Sequence, residues 1–383
     1  MAGFAQFEER VRRHIRELEA AGLRRTLQPP SGIDLCSNDY LGLAAHPLVK
    51  QKMAEAVLAE GCGSTASRLL RGERAGLASV ERRFAAFKNM EASLYFGSGY
   101  TANIGVLATF IERHDVVLTD AQNHASIVDG IRLARAKRMK FPHCDVDDAA
   151  RQLRALPSGV QKFLVTESVF SMDGDFAPLS DYAQLCRETE TILIVDEAHA
   201  VGVYGARGSG RIEQTNTGSG VFLSVDTAGK AMGVSGAFVS APAWAVDYLI
   251  QRARPFMFST APPPALSAAL DASLTLIETE PERRHRVREL AASLHAKLSE
   301  QGFDIGRSQS QIVPVMFGEN DRAKDVASEL QREGFDVRAI RPPAVPPGTA
   351  RLRISINAML DESTLQGFTS ALQKVTSCFV ASS

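Results

Sequence analysis

A chain of 383 residues is long enough for two or three domains, and 45% hydrophobic with 23% charged residues is ordinary for a globular protein. A formal net charge of −1 gives no electrostatic reason to expect nucleic acid or a membrane surface as a partner. Five widely spaced cysteines (Cys36, Cys62, Cys144, Cys186, Cys378), odd in number and without a C-x-x-C pair, argue against a disulfide framework or a zinc site, so no metal and a reducing cytoplasm are expected.

The first residues place Phe4, Phe7, Val11, Ile15 and Leu18 at helical spacing among Glu and Arg, which predicts an amphipathic helix and not the continuous apolar core of a signal peptide. No stretch approaches the length of a membrane span. Residues 1 to 45 read as an N-terminal arm that must lie on the rest of the molecule. Its notable polar residues are Asn38 and Arg24, although a surface arginine is solvated by default.

From His46 helices alternate with short apolar strands, the pattern of a parallel α/β sheet. Gly61 to Gly72 is a glycine- and hydroxyl-rich loop between two helices. The strand Ala92 to Phe96 runs into Gly97-Ser-Gly-Tyr-Thr-Ala-Asn103, which opens a helix through Val106 and Phe110. Strand, glycines and helix start together expose backbone N–H groups to an anion, and a cofactor phosphate would suit Gly99. The strand Val116 to Asp120 delivers His124, and a helix rich in Arg132, Arg135, Lys137 and Arg138 is expected next, its basic run being most simply a solvated face. The strand Lys162 to Glu167 exits toward Ser171 and Asp173.

The apolar, β-branched run Thr191 to Val195 predicts a buried strand with Asp196 at its carboxyl end, where open α/β sheets put their ligands. Lys230, one of ten lysines, sits among Ala228, Gly229, Ala231, Gly233 and Gly236, where partial desolvation favours the neutral amine needed for a Schiff base. A lysine for the aldehyde and a carboxylate for the ring nitrogen suggest pyridoxal phosphate chemistry. These two residues alone leave open a structural aspartate and a glycine-loop lysine. Val195-Asp-Glu-Ala-His199 also spells a helicase-type box, but no G-x-x-x-x-G-K-[ST] loop accompanies it. With parallel strands, Gly99, His124, Ser171, Asp196 and His199 converge on one rim.

Another strand is expected at Gly236 to Ser240, then the Pro262-Pro-Pro264 breaker and a long helical region. Beyond about residue 270 the pattern becomes a small α+β domain with an antiparallel sheet, including Ile312 to Phe317 and the alternating Arg351 to Asn357. The expected division is an arm at 1–45, a large domain at 46–268 and a small domain at 269–383.

The stretches Ser37-Asn-Asp-Tyr-Leu-Gly-Leu43, Gly97 to Asn103, Asn123-His-Ala-Ser126, Thr166 to Asp175, Val195 to Gly202 and Thr227-Ala-Gly-Lys230 jointly resemble the α-oxoamine synthases, over nearly the whole chain. These are pyridoxal 5′-phosphate (PLP) enzymes of fold type I. The resemblance implies an α/β fold with a mostly parallel, seven-stranded-type central sheet, helices on both faces and a small C-terminal α+β domain. The segment Ile340 to Arg353 most resembles members that join L-alanine to a pimeloyl thioester with loss of CO2.

By matching position, the resemblance implies Lys230 as the Schiff-base lysine and general base, Asp196 as partner of the ring nitrogen, His199 as donor to the ring oxygen and His124 as the stacking residue. Gly99, Tyr100 and Thr227 would hold the phosphate, Thr260 would reach the neighbouring subunit's phosphate, and Ser171 would lie beside the cofactor. Asn38 and Arg353 would bind the amino-acid carboxylate, and Arg24 the distal carboxylate of the acyl chain. Two departures concern the substrate region: Ala344 stands where the family pattern has threonine, and Gly63 to Arg68 is less glycine-rich. A homodimer with a shared site and an acyl carrier protein or coenzyme A as thioester carrier are further implications. Sister synthases using glycine or serine, an aminotransferase and a non-catalytic relative are the competing readings.

Overall fold

The computed structural model describes residues 2 to 380. Its centre is a seven-stranded sheet in the order Ala92–Phe96, Ala237–Ala241, Leu223–Thr227, Thr191–Asp196, Lys162–Glu167, Val116–Asp120, Lys137–Phe141. Only Ala237–Ala241 runs antiparallel to its neighbours. Both faces are covered, so the inner strands are buried along almost their whole length and mostly apolar. Ile194 packs with Val117, Val165 and Val225 beneath the helices Gly99–Phe110 and Ala125–Ala134. Leu193 and Val195 pack with Leu118 and Leu164 on the opposite face, where the helix Leu179–Glu188 covers them.

Two parts of this sheet differ from the sequence reading. The basic run after Arg132 is not helical throughout: Arg135 ends the helix in the left-handed region (φ 60°), and Lys137–Phe141 is the edge strand. Phe141 and Met139 face the core, while Lys137, Arg138 and Lys140 are exposed and discourage edge-to-edge pairing. The strand Leu223–Thr227 was not evident because Ser224 and Asp226 interrupt its apolar pattern. Both are fully buried. Lys88 Nζ, also buried, donates to Asp226 at 2.8 Å and to Glu197 at 2.9 Å, so the buried charges are paired.

The small domain has a three-stranded antiparallel sheet in which Ala350–Ser355 lies between Ala339–Ile340 and Ile312–Gly318. Val313, Val315, Leu352 and Ile354 pack there against the helices Asn320–Arg332 and Glu362–Val380. The arm lies on this domain: Ile33–Asp34 pairs in parallel with Phe335–Asp336, and Leu35 enters the same core. The helix Ala265–Thr279 packs Ala269, Leu270, Leu274 and Ile277 into the large domain's core, so we propose to draw the division after Thr279. The N-terminal helix Ala2–Ala20 forms as expected and leaves its apolar stripe exposed, Phe4 at 72% and Phe7 at 53%. Among the described residues no helix is long and apolar enough to cross a membrane.

Candidate active site

The carboxyl ends of the parallel strands open onto one cavity of about 340 Å³, lined among others by Asn38, Gly99, His124, Asp196, His199 and Lys230. Sheet topology brings these together: residues far apart in sequence end their strands at one edge. At one side lies the start of the helix Gly99–Phe110. Ser98 caps it by accepting from Thr101 N at 3.1 Å, and Thr101 Oγ1 accepts from Ser98 N at 3.1 Å. A Cβ on Gly99 would lie 2.7 Å from Thr227 Oγ1, so glycine keeps the backbone and that hydroxyl close together. Free N–H groups, a threonine hydroxyl and the positive end of the helix form an anion cradle.

Lys230 leaves the Leu223–Thr227 strand on a tight loop. Gly236 closes this loop at φ +85°, where a Cβ would meet Tyr95 Oη at 1.9 Å, and Tyr95 donates that hydroxyl to Ser235 O at 2.9 Å. Burial, reinforced by Arg353, lowers the Lys230 amine to about 8 against the pull of Asp196 and Glu167. Its Nζ lies 2.7 Å from His199 Nε2. Behind it, Tyr40 Oη is 2.7 Å from His199 Nδ1 and donates to Asn38 Oδ1 at 3.0 Å. Arg353 Nη2 donates to the same Asn38 oxygen at 3.1 Å, and its Nε donates to Ser171 O at 2.6 Å. The loop carrying Ser171, the arm and the small domain are thereby joined at the cavity wall.

Asp196 accepts from Ala198 N at 2.8 Å and from Asn103 Nδ2 at 2.7 Å. On the adjacent strand Glu167 is in register with it and accepts from His124 N at 2.6 Å and Ser171 N at 3.3 Å. Burial and the Asp196 charge push Glu167 up to about 8, although Lys230 and the two N–H groups oppose this. One strand further out, His143 bridges Asp120 Oδ1 and Asp175 Oδ2, each at 2.8 Å. Burial disfavours its charge, but the two carboxylates prevail and raise the imidazole to about 12. This clamp ties the strand end before His124 to the loop that carries Ser171.

The structure therefore gathers Asn38, Gly99, Tyr100, His124, Asp196, His199, Thr227 and Lys230 around one cavity. Ser171 and Arg353 stand just behind its wall, joined to it through Glu167 and Asn38. Arg24, Ala344 and Thr260 are exposed and do not line the cavity in the single chain, and Arg24 donates to Glu19 at 2.9 Å. Sequence reasoning did not single out Tyr40, Asn103, Ser126, Glu167 or His143. The first four lie inside the quoted stretches, but nothing in one dimension shows what a buried phenol, amide or hydroxyl touches.

Residues 30–372 match the family model "Aminotransferase class I and II". The 8-amino-7-oxononanoate synthase of Anaeromyxobacter dehalogenans is 46% identical over 372 residues, covering 94% of this chain and 93% of that protein. The protein of the same name from Geobacter sulfurreducens is 43% identical, covering 94% and 96%. Among solved structures, a serine palmitoyltransferase from S. paucimobilis with bound PLP and myriocin superposes with a TM-score of 0.91 at 29% identity, covering 98% of both chains. The 8-amino-7-oxononanoate synthase from Francisella tularensis gives 0.79 at 28% identity, covering 91% and 99%. With the sheet, the lysine loop and the strand-end aspartate in the positions the sequence motifs imply, the chain belongs to the aminotransferase class I and II family, in its α-oxoamine synthase branch.

Proposed function

We propose that this chain is a PLP-dependent acyltransferase of biotin biosynthesis. It joins L-alanine to a pimeloyl thioester and releases 8-amino-7-oxononanoate, CO2 and the carrier thiol. The observation that carries this reading is the 42–46% identity, over nearly the full length, to relatives named 8-amino-7-oxononanoate synthase. The same cavity supports PLP as the cofactor: an anion cradle at Gly99 and Thr227, a carboxylate at Asp196 and a desolvated amine at Lys230 meet the phosphate, ring nitrogen and aldehyde of one molecule.

PLP supplies an electron sink for the pair released at the amino-acid Cα. Lys230 would hold the aldehyde, and its freed amine would take the Cα proton and later return one to the product. Asp196 would keep the ring nitrogen protonated, a fixed ion pair in a water-poor site. Arg353 and Asn38 orient the alanine carboxylate. The Cα–acyl bond forms as the thioester C–S bond breaks, and the carboxylate then leaves as CO2. His124 would stack on the ring, His199 would donate to its oxygen once Nε2 carries the proton, and Ser171 would stand beside it. Tyr100 adds to the phosphate cradle.

Arg24 and residue 344 would meet the acyl chain; Arg25 Nη2 donates to Pro342 O at 3.0 Å, so the arm and the loop that carries residue 344 touch. The enzyme acts in the cytoplasm as a homodimer, with Thr260 reaching the neighbouring subunit's phosphate. Exposed Tyr100 (41%) at the cavity and Phe258 (70%), which lines a separate cleft with Ile104 of the Tyr100 helix, support a covered face there. Coenzyme A and an acyl carrier protein are both chemically competent thioester carriers.

The higher TM-score to serine palmitoyltransferase, 0.91 against 0.79, favours a second reading in which serine and a long-chain thioester are the substrates. Purified protein with PLP, equimolar alanine, glycine and serine, and pimeloyl, acetyl, succinyl and palmitoyl thioesters decides by mass spectrometry. Alanine plus pimeloyl minus CO2 establishes the first reading. Any other amino ketone keeps the chemistry and replaces the substrates, and absence of any condensation product overturns both.

A further inference from the structure

Two buried polar residues beside the cavity have no role in the chemistry above. Asn103 lies in the helix Gly99–Phe110 and Ser126 in the first turn of Ala125–Ala134. Asn103 Nδ2 is 2.7 Å from Asp196 Oδ2 and 3.0 Å from Ser126 Oγ. A carboxylate oxygen offers only lone pairs, so the amide must turn its NH2 toward Asp196, which settles its orientation. One amide hydrogen then serves Asp196 and the other serves Ser126 Oγ.

Having accepted from Asn103, the Ser126 hydroxyl still has its own hydrogen to give. His124 Nδ1 is 2.8 Å from that oxygen. Ser126 N donates to the same ring nitrogen at 3.3 Å. With two donors aimed at it, Nδ1 is an acceptor and cannot carry a proton.

We infer that Asn103 and Ser126 are positioning residues that hold His124 as the neutral tautomer protonated on Nε2, so that the ring presents an N–H donor to an oxygen of the bound substrate. The substrate part of this statement rests on the proposed function; the tautomer does not. Partial desolvation, reinforced by the Lys230 charge, holds His124 below the ordinary imidazole value against the pull of Asp196, in keeping with a neutral ring. The chain also links Asp196, which would face the cofactor ring nitrogen, to the residue expected to stack on that ring. A group on Nδ1 that could only accept, in place of Ser126, would release the other tautomer.

The test is nitrogen NMR on the full-length protein labelled with [15N]histidine and loaded with PLP, with His124→Gln identifying the signals of His124. The expected result is an unprotonated, acceptor-type Nδ1 and a protonated Nε2 throughout the neutral pH range. Ser126→Ala should shift both signals toward a mixture of tautomers, Asn103→Ala should shift them less in the same direction, and Ser126→Thr should restore the original pattern. A proton on Nδ1 of the unmutated protein overturns the inference, and so does a folded Ser126→Ala protein with unchanged signals. The unmutated spectrum decides even if a variant does not fold. Protein that shows the expected tautomer but takes up no PLP would instead overturn the proposed function and leave this inference standing.

Discussion

Lys230 Nζ and His199 Nε2 stand 2.7 Å apart, and His199 is buried with the Tyr40 hydroxyl 2.7 Å from its other nitrogen. Burial, with the Lys230 and Arg353 charges adding, holds His199 well below the ordinary imidazole value. A protonated Lys230 therefore donates to a neutral ring, whose own proton sits on Nδ1 and goes to Tyr40. The amine is kept desolvated and close to deprotonation without a direct carboxylate partner, the state in which a lysine can attack an aldehyde.

This has a consequence for stability with a definite sign. The Lys230 amine falls from an ordinary 10.5 to about 8, so the fold disfavours its charge. Below pH 8 both folded and unfolded chains hold the proton and the full cost is present; between 8 and 10.5 the unfolded chain binds more protons, so stability rises with pH. Cofactor-free Lys230→Met protein should thus melt about 2–4 °C above the cofactor-free parent at pH 7, and the gap should narrow toward pH 10.5. Calorimetry at pH 7 and 10 checks this. An equal gap at both values would mean that the amine is not the source.

For catalysis, Lys230→Ala should abolish borohydride trapping of PLP on the chain and lower turnover by roughly 10⁴-fold or more. Near-normal activity would remove Lys230 from the chemistry.

Asp196→Asn keeps the shape of the side chain and the contact from Ala198 N, so PLP should still bind. Loss of the charge opposite the ring nitrogen should lower kcat by about 10²–10³-fold. Unchanged kinetics would show that another group protonates the ring.

Asp196 and Lys230 were legible in the sequence because each broke a local pattern, a carboxylate ending an apolar run and a lysine among glycines. The buried contacts behind them were not legible. Tyr40 acts on His199 across 159 positions and Lys88 on Asp226 across 138, so no window contains either pair. Buried polar residues also hid secondary structure: Leu223–Thr227 does not read as a strand until Lys88 is placed beneath it. The basic run at 137–140 reads as a solvated helix face, and only pairing with Val116–Asp120 makes it an edge strand. Arg24, Ala344 and Thr260 lie exposed outside the cavity, so the roles the resemblance gives them rest on the motifs and not on the geometry of one chain.

Tyr40→Phe tests the buried chain directly. The fully buried ring keeps its packing, but His199 Nδ1 loses its acceptor, and Asn38 Oδ1 loses one donor. An unsatisfied buried group costs about 1–3 kcal/mol. A loss of that size in denaturant unfolding is expected, together with a fall in kcat of about ten- to a hundredfold as His199 and Lys230 lose their orientation. A variant with the parent's stability and kcat would mean that His199 is held by packing alone.

The Asp120–His143–Asp175 clamp gives the opposite sign of pH dependence to Lys230. Burial opposes the His143 charge, but the hydrogen bonds to both carboxylates raise it from 6.5 to about 12. Its contribution is therefore complete below pH 6.5 and is lost only as pH rises toward 12. Asp175 Oδ1 is already buried without a partner, so little remains to stabilise this carboxylate if the imidazolium is removed. His143→Gln should destabilise the protein by about 3–5 kcal/mol near pH 8, because two buried carboxylates then lack a counter-charge. The loss should be larger still at pH 5, where the full contribution of the charged imidazole is present in the parent. PLP affinity should fall as well, since the strand end before His124 and the loop through Ser171 are no longer tied together. Urea unfolding of both proteins at pH 5 and 8 measures the effect; equal losses at the two pH values would show that His143 serves by shape and not by charge.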